Sequence, residues 1–276
     1  MKRKSIIFVV IALMLLCVCS LSACHKNNEN VTVFTYEDAD KYSTDQTEFS
    51  DYVSELDINW VSGSVKITTG NVRSITVEEK YSKEKVSDAY KVHTFLDNGK
   101  LHVAFAKSGK FVGFINLKKD LVVTFPQEMD LKTVRIRSVS APVELDNSLT
   151  VTDFRVETIS GEVKAQFSAE SPVNFKVETV SGKVSATFER KAAPFIDIET
   201  VSAEAHVTAL DLSDVDFESV SGSLLINIPE GVGYVAELRS VSGKFSSEYD
   251  EKTTYGDGKV KIDAETTTGN LTIKKA

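Results

Sequence analysis

Val156-Glu-Thr-Ile-Ser-Gly-Glu-Val-Lys-Ala165 is answered 21 residues later by Val177-Glu-Thr-Val-Ser-Gly-Lys-Val-Ser-Ala186. Before the first Ser-Gly, Phe154, Val156 and Thr158 alternate with Arg155 and Glu157; after it, Val163, Ala165 and Phe167 alternate with Lys164 and Gln166. A period of two on both sides of a turn predicts two half-buried strands. Gly161 suits a positive φ in that turn, and Ser160 can bond the local backbone.

The same unit recurs in both directions. Copies begin at Ile58, Ile136, Val156, Val177, Ile198, Phe217, Leu238 and Ala264, and from 136 to 238 they are 20, 21, 21, 19 and 21 residues apart. A unit this short cannot bury its apolar side alone, so copies must stack. The expected fold is all-β: a β-solenoid of two-strand repeats of about 20 residues, spaced roughly 4.8 Å apart, with an N-terminal β-hairpin elaboration. Val156, Val177, Ile198, Phe217 and Leu238 would form one inner column, and Thr158, Thr179, Thr200, Ser219 and Ser240 a second, bonded along its length. Ala141 and Ala203 replace the usual glycine, which suggests a different turn in those copies.

The spacing breaks over residues 70–126, where four further strands are expected, two of them joined at Asp97-Asn98-Gly99. This region and Lys259–Lys275 would cap the two ends of the stack. The expected boundaries are 1–23, a leader; 24–50, a polar tether; 51–135, the N-terminal β region; and 136–276, the repeats. Val31–Tyr36 alternates well enough for part of the tether to dock on the domain.

The leader is explicit. Lys2, Arg3 and Lys4 precede an apolar run over Ile6–Leu16, which ends in Leu21-Ser22-Ala23-Cys24. That run is too short for a stable membrane span and fits a secretory signal. Small residues before Cys24 resemble a lipobox, so Cys24 is expected to carry a diacylglyceryl thioether and hold the chain on the outer face of a bacterial membrane. The three cysteines, Cys17, Cys19 and Cys24, all lie at or before this point, so the exported part has neither a disulfide nor a thiolate metal site.

The whole chain has a net charge of −8, and removing the leader leaves 29 Lys and Arg against 40 Asp and Glu. This balance argues against nucleic acid as a partner.

Together with the Val-Ser-Gly turns, Leu56-Asp-Ile-Asn-Trp-Val-Ser-Gly-Ser-Val65, Asp120-Leu-Val-Val-Thr-Phe-Pro126 and Tyr255-Gly-Asp-Gly258 resemble the toast-rack, or adhesin-type, domain of bacterial envelope proteins. The resemblance covers about residues 52–276. It implies a β-helical solenoid, often found beside membrane-anchoring or stress-response modules, and carries no catalytic motif.

Catalytic signatures are absent from the sequence. His25, His93, His102 and His206 have no metal-ligand spacing, and no nucleophile elbow or phosphate loop occurs. His206 reads as a surface residue. The strongest candidate is an outward ladder of Glu157, Glu178, Glu199 and Glu218, with Asp197 and Asp216 alongside; stacked like charges repel, and bound Ca²⁺ could offset this. Flanking Arg137, Arg155, Lys176 and Arg239 could do the same without metal. Trp60 could stack on a sugar or cover the first repeat, and Phe111 and Phe114 could form an apolar loop tip or a buried strand.

These readings point to a non-enzymatic surface lipoprotein binding a protein or polysaccharide in the cell envelope, or serving as a scaffold. The alternatives are an envelope-stress sensor working with a membrane partner and a polysaccharide-active β-helix enzyme.

Overall fold

Each Ser-Gly turn sends the chain from one sheet into another. The computed structural model describes residues 33–112, 116–127, 129–146, 149–168, 173–189, 194–249 and 253–276. Among these, strands form two large sheets of 11 strands each, and the only helical element is a 3₁₀ turn at Asp88–Tyr90. Strands preceding the turns make the front sheet, and strands following them the back sheet. One front and one back strand form a rung.

Four consecutive rungs lie at the centre: Thr150–Thr158 with Val163–Phe167, Asn174–Thr179 with Val184–Phe188, Phe195–Thr200 with Ala205–Ala209, and Val215–Ser219 with Leu224–Ile228. They pair in parallel, with Val156 against Val177, Val177 against Ile198 and Ile198 against Phe217. All four of these side chains are buried. Between the sheets, Phe154 stacks on Phe175 at 5.7 Å and Phe167 on Phe188 at 4.9 Å, the two pairs meeting edge to face. Such ring contacts add roughly 0.5–1.5 kcal/mol each beyond the area they bury.

The Thr and Ser column has a local task as well as bonds along its length, where Thr200 Oγ1 donates to the Val180 carbonyl at 3.4 Å and Ser219 Oγ to the Val201 carbonyl at 3.3 Å in the rung before. Thr158 Oγ1 accepts the Gly161 N–H at 3.0 Å, Thr179 Oγ1 that of Gly182 at 2.9 Å, and Thr200 Oγ1 that of Ala203 at 2.9 Å. Ser138 accepts the Ala141 N–H in the same way, so the Ala copies use the same capped turn and not another type. Nor does Gly161 use a positive φ; such angles occur at Gly63, Gly99, Gly109, Gly256 and Gly258. What the turn glycine provides is closeness, since a Cβ on Gly182 would stand 2.0 Å from the Gly161 carbonyl oxygen of the rung before it. Asn98 and Gly99 do take positive φ, of 49° and 82°, as their hairpin requires.

Rung order departs from chain order at both ends. Glu55–Trp60 with Gly63–Gly70, the first copy, is the second rung; the first is Lys100–Ala104 with Lys119–Pro126. The chain then passes to the third, Asp130–Ser138 with Val143–Leu145. At the far end, Val260–Thr266 with Leu271–Lys275 lies against the Val215–Ser219 rung, and Tyr234–Ser240 with Phe245–Ser247 lies outermost. Lys259–Lys275 is therefore an interior rung and not the expected cap, and Ala264 separates Phe217 from Leu238 in the inner column. Nine rungs result among the described residues, a stack of about 40 Å at strand spacing.

The inserted region likewise joins the main sheets. Ile75–Tyr81 runs antiparallel to Lys119–Pro126, and His93–Asp97 antiparallel to Lys100–Ala104. The segment read as tether docks from residue 33 onwards. Val33–Phe34 pairs with Lys110–Phe111, Glu48–Phe49 pairs with Ile75 and Thr76, and Phe34 and Phe49 are buried. Phe34 and Phe49, with Tyr36 and Tyr42 packed against the core, anchor this largely polar stretch, because each buries a large apolar area.

Candidate functional site

Outward side chains of the front sheet fall into two rows. One runs Arg137, Glu157, Glu178, Glu199, Glu218, Glu265, Arg239; the row beside it runs Arg135, Arg155, Lys176, Asp197, Asp216, Asp263, Glu237. The ladder therefore contains the residues expected from sequence. It also contains Asp263 and Glu265, which become visible only once the last copy is placed inside the stack.

Ion pairing divides this face. Lys176 Nζ reaches Asp197 at 2.8 Å, Glu199 at 2.9 Å and Glu178 at 3.4 Å. Burial alone would lower the Lys176 pKa; hydrogen bonds and charge from Asp197 and Glu199 overcome it and hold it above the usual lysine range. Arg135 pairs with Glu157 at 2.6 Å, and Arg239 pairs with Glu237, Asp263 and Glu265. Asp216 and Glu218 are in no ion pair among the described residues. Burial followed by the neighbouring Asp263 carboxylate raises Asp216, and burial followed by Glu199 raises Glu218. Glu178 is raised by burial and Glu199, against the pull of Lys176. Among the described residues no three His, Cys, Asp or Glu side chains come together in a way that could hold a metal ion. The ladder's charge is offset in part by Arg135, Lys176, Arg239 and Lys261.

The back sheet differs over the rungs from Val184–Phe188 to Leu271–Lys275. Its outward positions are Ser185 and Thr187, His206 and Thr208, Leu225 and Asn227, and Thr272 and Lys274. A half-open groove of about 340 Å³ crosses them, lined by Lys183, Glu204, His206, Leu225, Thr272 and Lys274 among others. Asn227 Nδ2 lies 2.7 Å from His206 Nε2 and donates to Thr208 Oγ1 at 3.1 Å. An amide nitrogen only donates, so Nε2 is the acceptor and the imidazole proton sits on Nδ1. This groove was not legible in the sequence, because its lining interleaves positions from separate copies whose order in the stack differs from chain order.

Trp60 is not available to a ligand: it is fully buried, its indole N–H donates to the Lys119 carbonyl at 2.9 Å, and its ring meets Phe105 edge to face. It covers no open end either, since the Lys100–Ala104 strand pairs beyond it. Lys119 is itself buried, its ammonium 2.7 Å from Glu79 and bonded to the carbonyls of Tyr90 and Phe105. Burial pulls this lysine down to about 8 despite Glu79. Phe111 is half-buried in a short strand. Phe114 and Cys24 lie outside the described residues. His93 and His102 are out of register, His102 facing Phe95 and His93 facing Ala104.

Among the described residues no helix is long and apolar enough to cross a membrane. The family model of Toastrack DUF4097 matches residues 53–276. A crystal structure of a putative cell adhesion protein from Clostridium sporogenes is similar at 12% identity and a TM-score of 0.41, covering 84% of this chain and 97% of that one. Another, of a putative adhesin from Bacteroides fragilis, is similar at 13% identity and a TM-score of 0.31, covering 83% of this chain and 95% of that one. No curated protein matches the chain.

Proposed function

The chain belongs to the Toastrack DUF4097 family, and from that premise we propose that it is a non-enzymatic adhesin-like binding module, exported and held on the bacterial cell surface by a lipid on Cys24. The observation that carries this reading is the pair of broad, repetitive outward faces on one rigid rod. A stack in which every inner position is packed leaves its chemistry on the outside, as extended surfaces suited to recognition. Leu21-Ser22-Ala23-Cys24 after the apolar run supports the anchor. On this reading residues 25–32, between Cys24 and the docked Val33–Phe34 strand, link membrane to rod.

Two measurements test the reading. Metabolic labelling with a tritiated fatty acid should mark the protein, and Cys24→Ala should abolish the label and release the chain from the membrane fraction. Cells lacking the protein should bind less to wall or host-surface preparations than cells carrying it. Equal binding by both strains would refute the adhesin-like role.

A further inference from the structure

The back-sheet groove has donors and acceptors without a dominant charge, and this selects among ligand classes. We propose that it is a binding site for an uncharged polysaccharide, a proposal that rests on the adhesin-like reading and assigns it a surface and a ligand class. Long-range charge disfavours a polyanion, because the chain without its leader has 29 Lys and Arg against 40 Asp and Glu. A polycation would be drawn to the front face, where Asp216 and Glu218 have no ion-pair partner among the described residues. The groove's own charges are mixed: Lys183 and Glu204 occupy neighbouring rungs one residue before the Val184–Ala205 pair, and Lys274, also in the lining, is level with Glu248, which stands outside it. A neutral, hydroxyl-rich chain remains.

The groove offers what such a chain needs. Leu225, half-buried and facing outward, presents an apolar surface to the C–H face of a sugar ring. On one side of it in register lies His206, on the other Thr272. Asn227 fixes the imidazole so that Nδ1–H remains to donate. Donors and acceptors held in place before the ligand arrives reduce the ordering cost of binding. Successive rungs place Ser185, His206, Leu225 and Thr272 about 4.8 Å apart in one row, so an extended chain can lie along it.

Full-length protein in detergent, titrated with cellohexaose and chitohexaose, should bind at least one of them saturably, with little dependence on salt. His206→Ala and Leu225→Asp should each weaken that binding tenfold or more, Asn227→Ala should weaken it less, and front-sheet Glu218→Gln should leave it unchanged. Thermal melts of the variants verify folding. Failure of both neutral probes to bind, binding confined to polygalacturonate or to chitosan hexamer, or neutral binding indifferent to His206→Ala and Leu225→Asp would each overturn the proposal. Adherence of cells carrying the Leu225→Asp protein separates the two readings. Protein-dependent adherence that survives the substitution removes the groove and keeps the adhesin-like role; adherence independent of the protein removes the role itself.

Discussion

Over the four rungs from Asn174–Thr179 to Val260–Thr266, the front sheet presents Lys176, Glu178, Asp197, Glu199, Asp216, Glu218, Asp263 and Glu265. The back sheet presents Ser185, Thr187, His206, Thr208, Leu225, Asn227, Thr272 and Lys274 on the same rungs. All eight front positions are charged, whereas on the back only Lys274 carries a permanent charge. Both sets hang from the same parallel ladders and cover the same apolar interior, so the fold demands neither composition. The interior sets which positions face in, and the outward ones are left to solubility and binding. The front set solves a repulsion problem of its own making, with Lys176 and Arg239 among the counter-ions, while the back set has no such problem to solve.

Removing what the two faces share gives the largest effect. Phe175→Ala, in the ring stack between the sheets, should cost about 3–5 kcal/mol in denaturant unfolding and disturb both faces alike. Gly182→Ala should cost about 1–3 kcal/mol, because the new Cβ meets the Gly161 carbonyl; an equal melting temperature would show that the turn relaxes freely, as Ala203 does in its own copy. Lys176→Ala leaves Glu178, Asp197 and Glu199 facing one another and should cost about 1 kcal/mol at low ionic strength, the loss shrinking in 1 M salt. Its back-sheet counterpart on the same rung, Ser185→Ala, should stay within about 0.5 kcal/mol and be indifferent to salt.

Acidification sharpens the contrast further. Glu178, Asp216 and Glu218 have pKa values raised above the ordinary 4.5 for Glu and 3.8 for Asp, so the folded rod holds these protons more tightly than the unfolded chain does. Their contribution is most favourable below the unfolded values and is lost as pH rises through the folded ones. Melting temperature should therefore fall less on acidification from neutrality towards 4.5 than in a Glu178→Gln, Asp216→Asn, Glu218→Gln variant, and at neutral pH that variant should melt slightly higher than the parent. A lower melt for the variant at neutral pH would mean that the carboxylates attract partners instead of repelling one another.

Much of this was readable from the Val-Ser-Gly spacing, which sets strand length, turn position and inward columns with no reference to tertiary contacts. The hairpin at Asn98-Gly99 was equally plain, since few residues other than glycine accept its φ. Rung order at the ends was not, because the copies beginning at Leu238 and Ala264 both offer an apolar residue to the inner column and only three-dimensional pairing decides which lies next to Phe217. The same ambiguity hid Asp263 and Glu265 from the ladder and Thr272 and Lys274 from the groove. Trp60 misled because position in a repeat does not reveal what an inserted segment will lay over it.

The interleaved far end has a mechanical consequence. The last strand, Leu271–Lys275, is bonded on one side to Leu224–Ile228 and on the other to Phe245–Ser247. A tail clamped between two neighbours cannot peel away one bond at a time: tension applied to it loads both ladders along their length and must shear them together. On the proposed reading, in which the rod is anchored at its opposite end and pulled by what it binds, that arrangement makes the strand a wedge between two ladders.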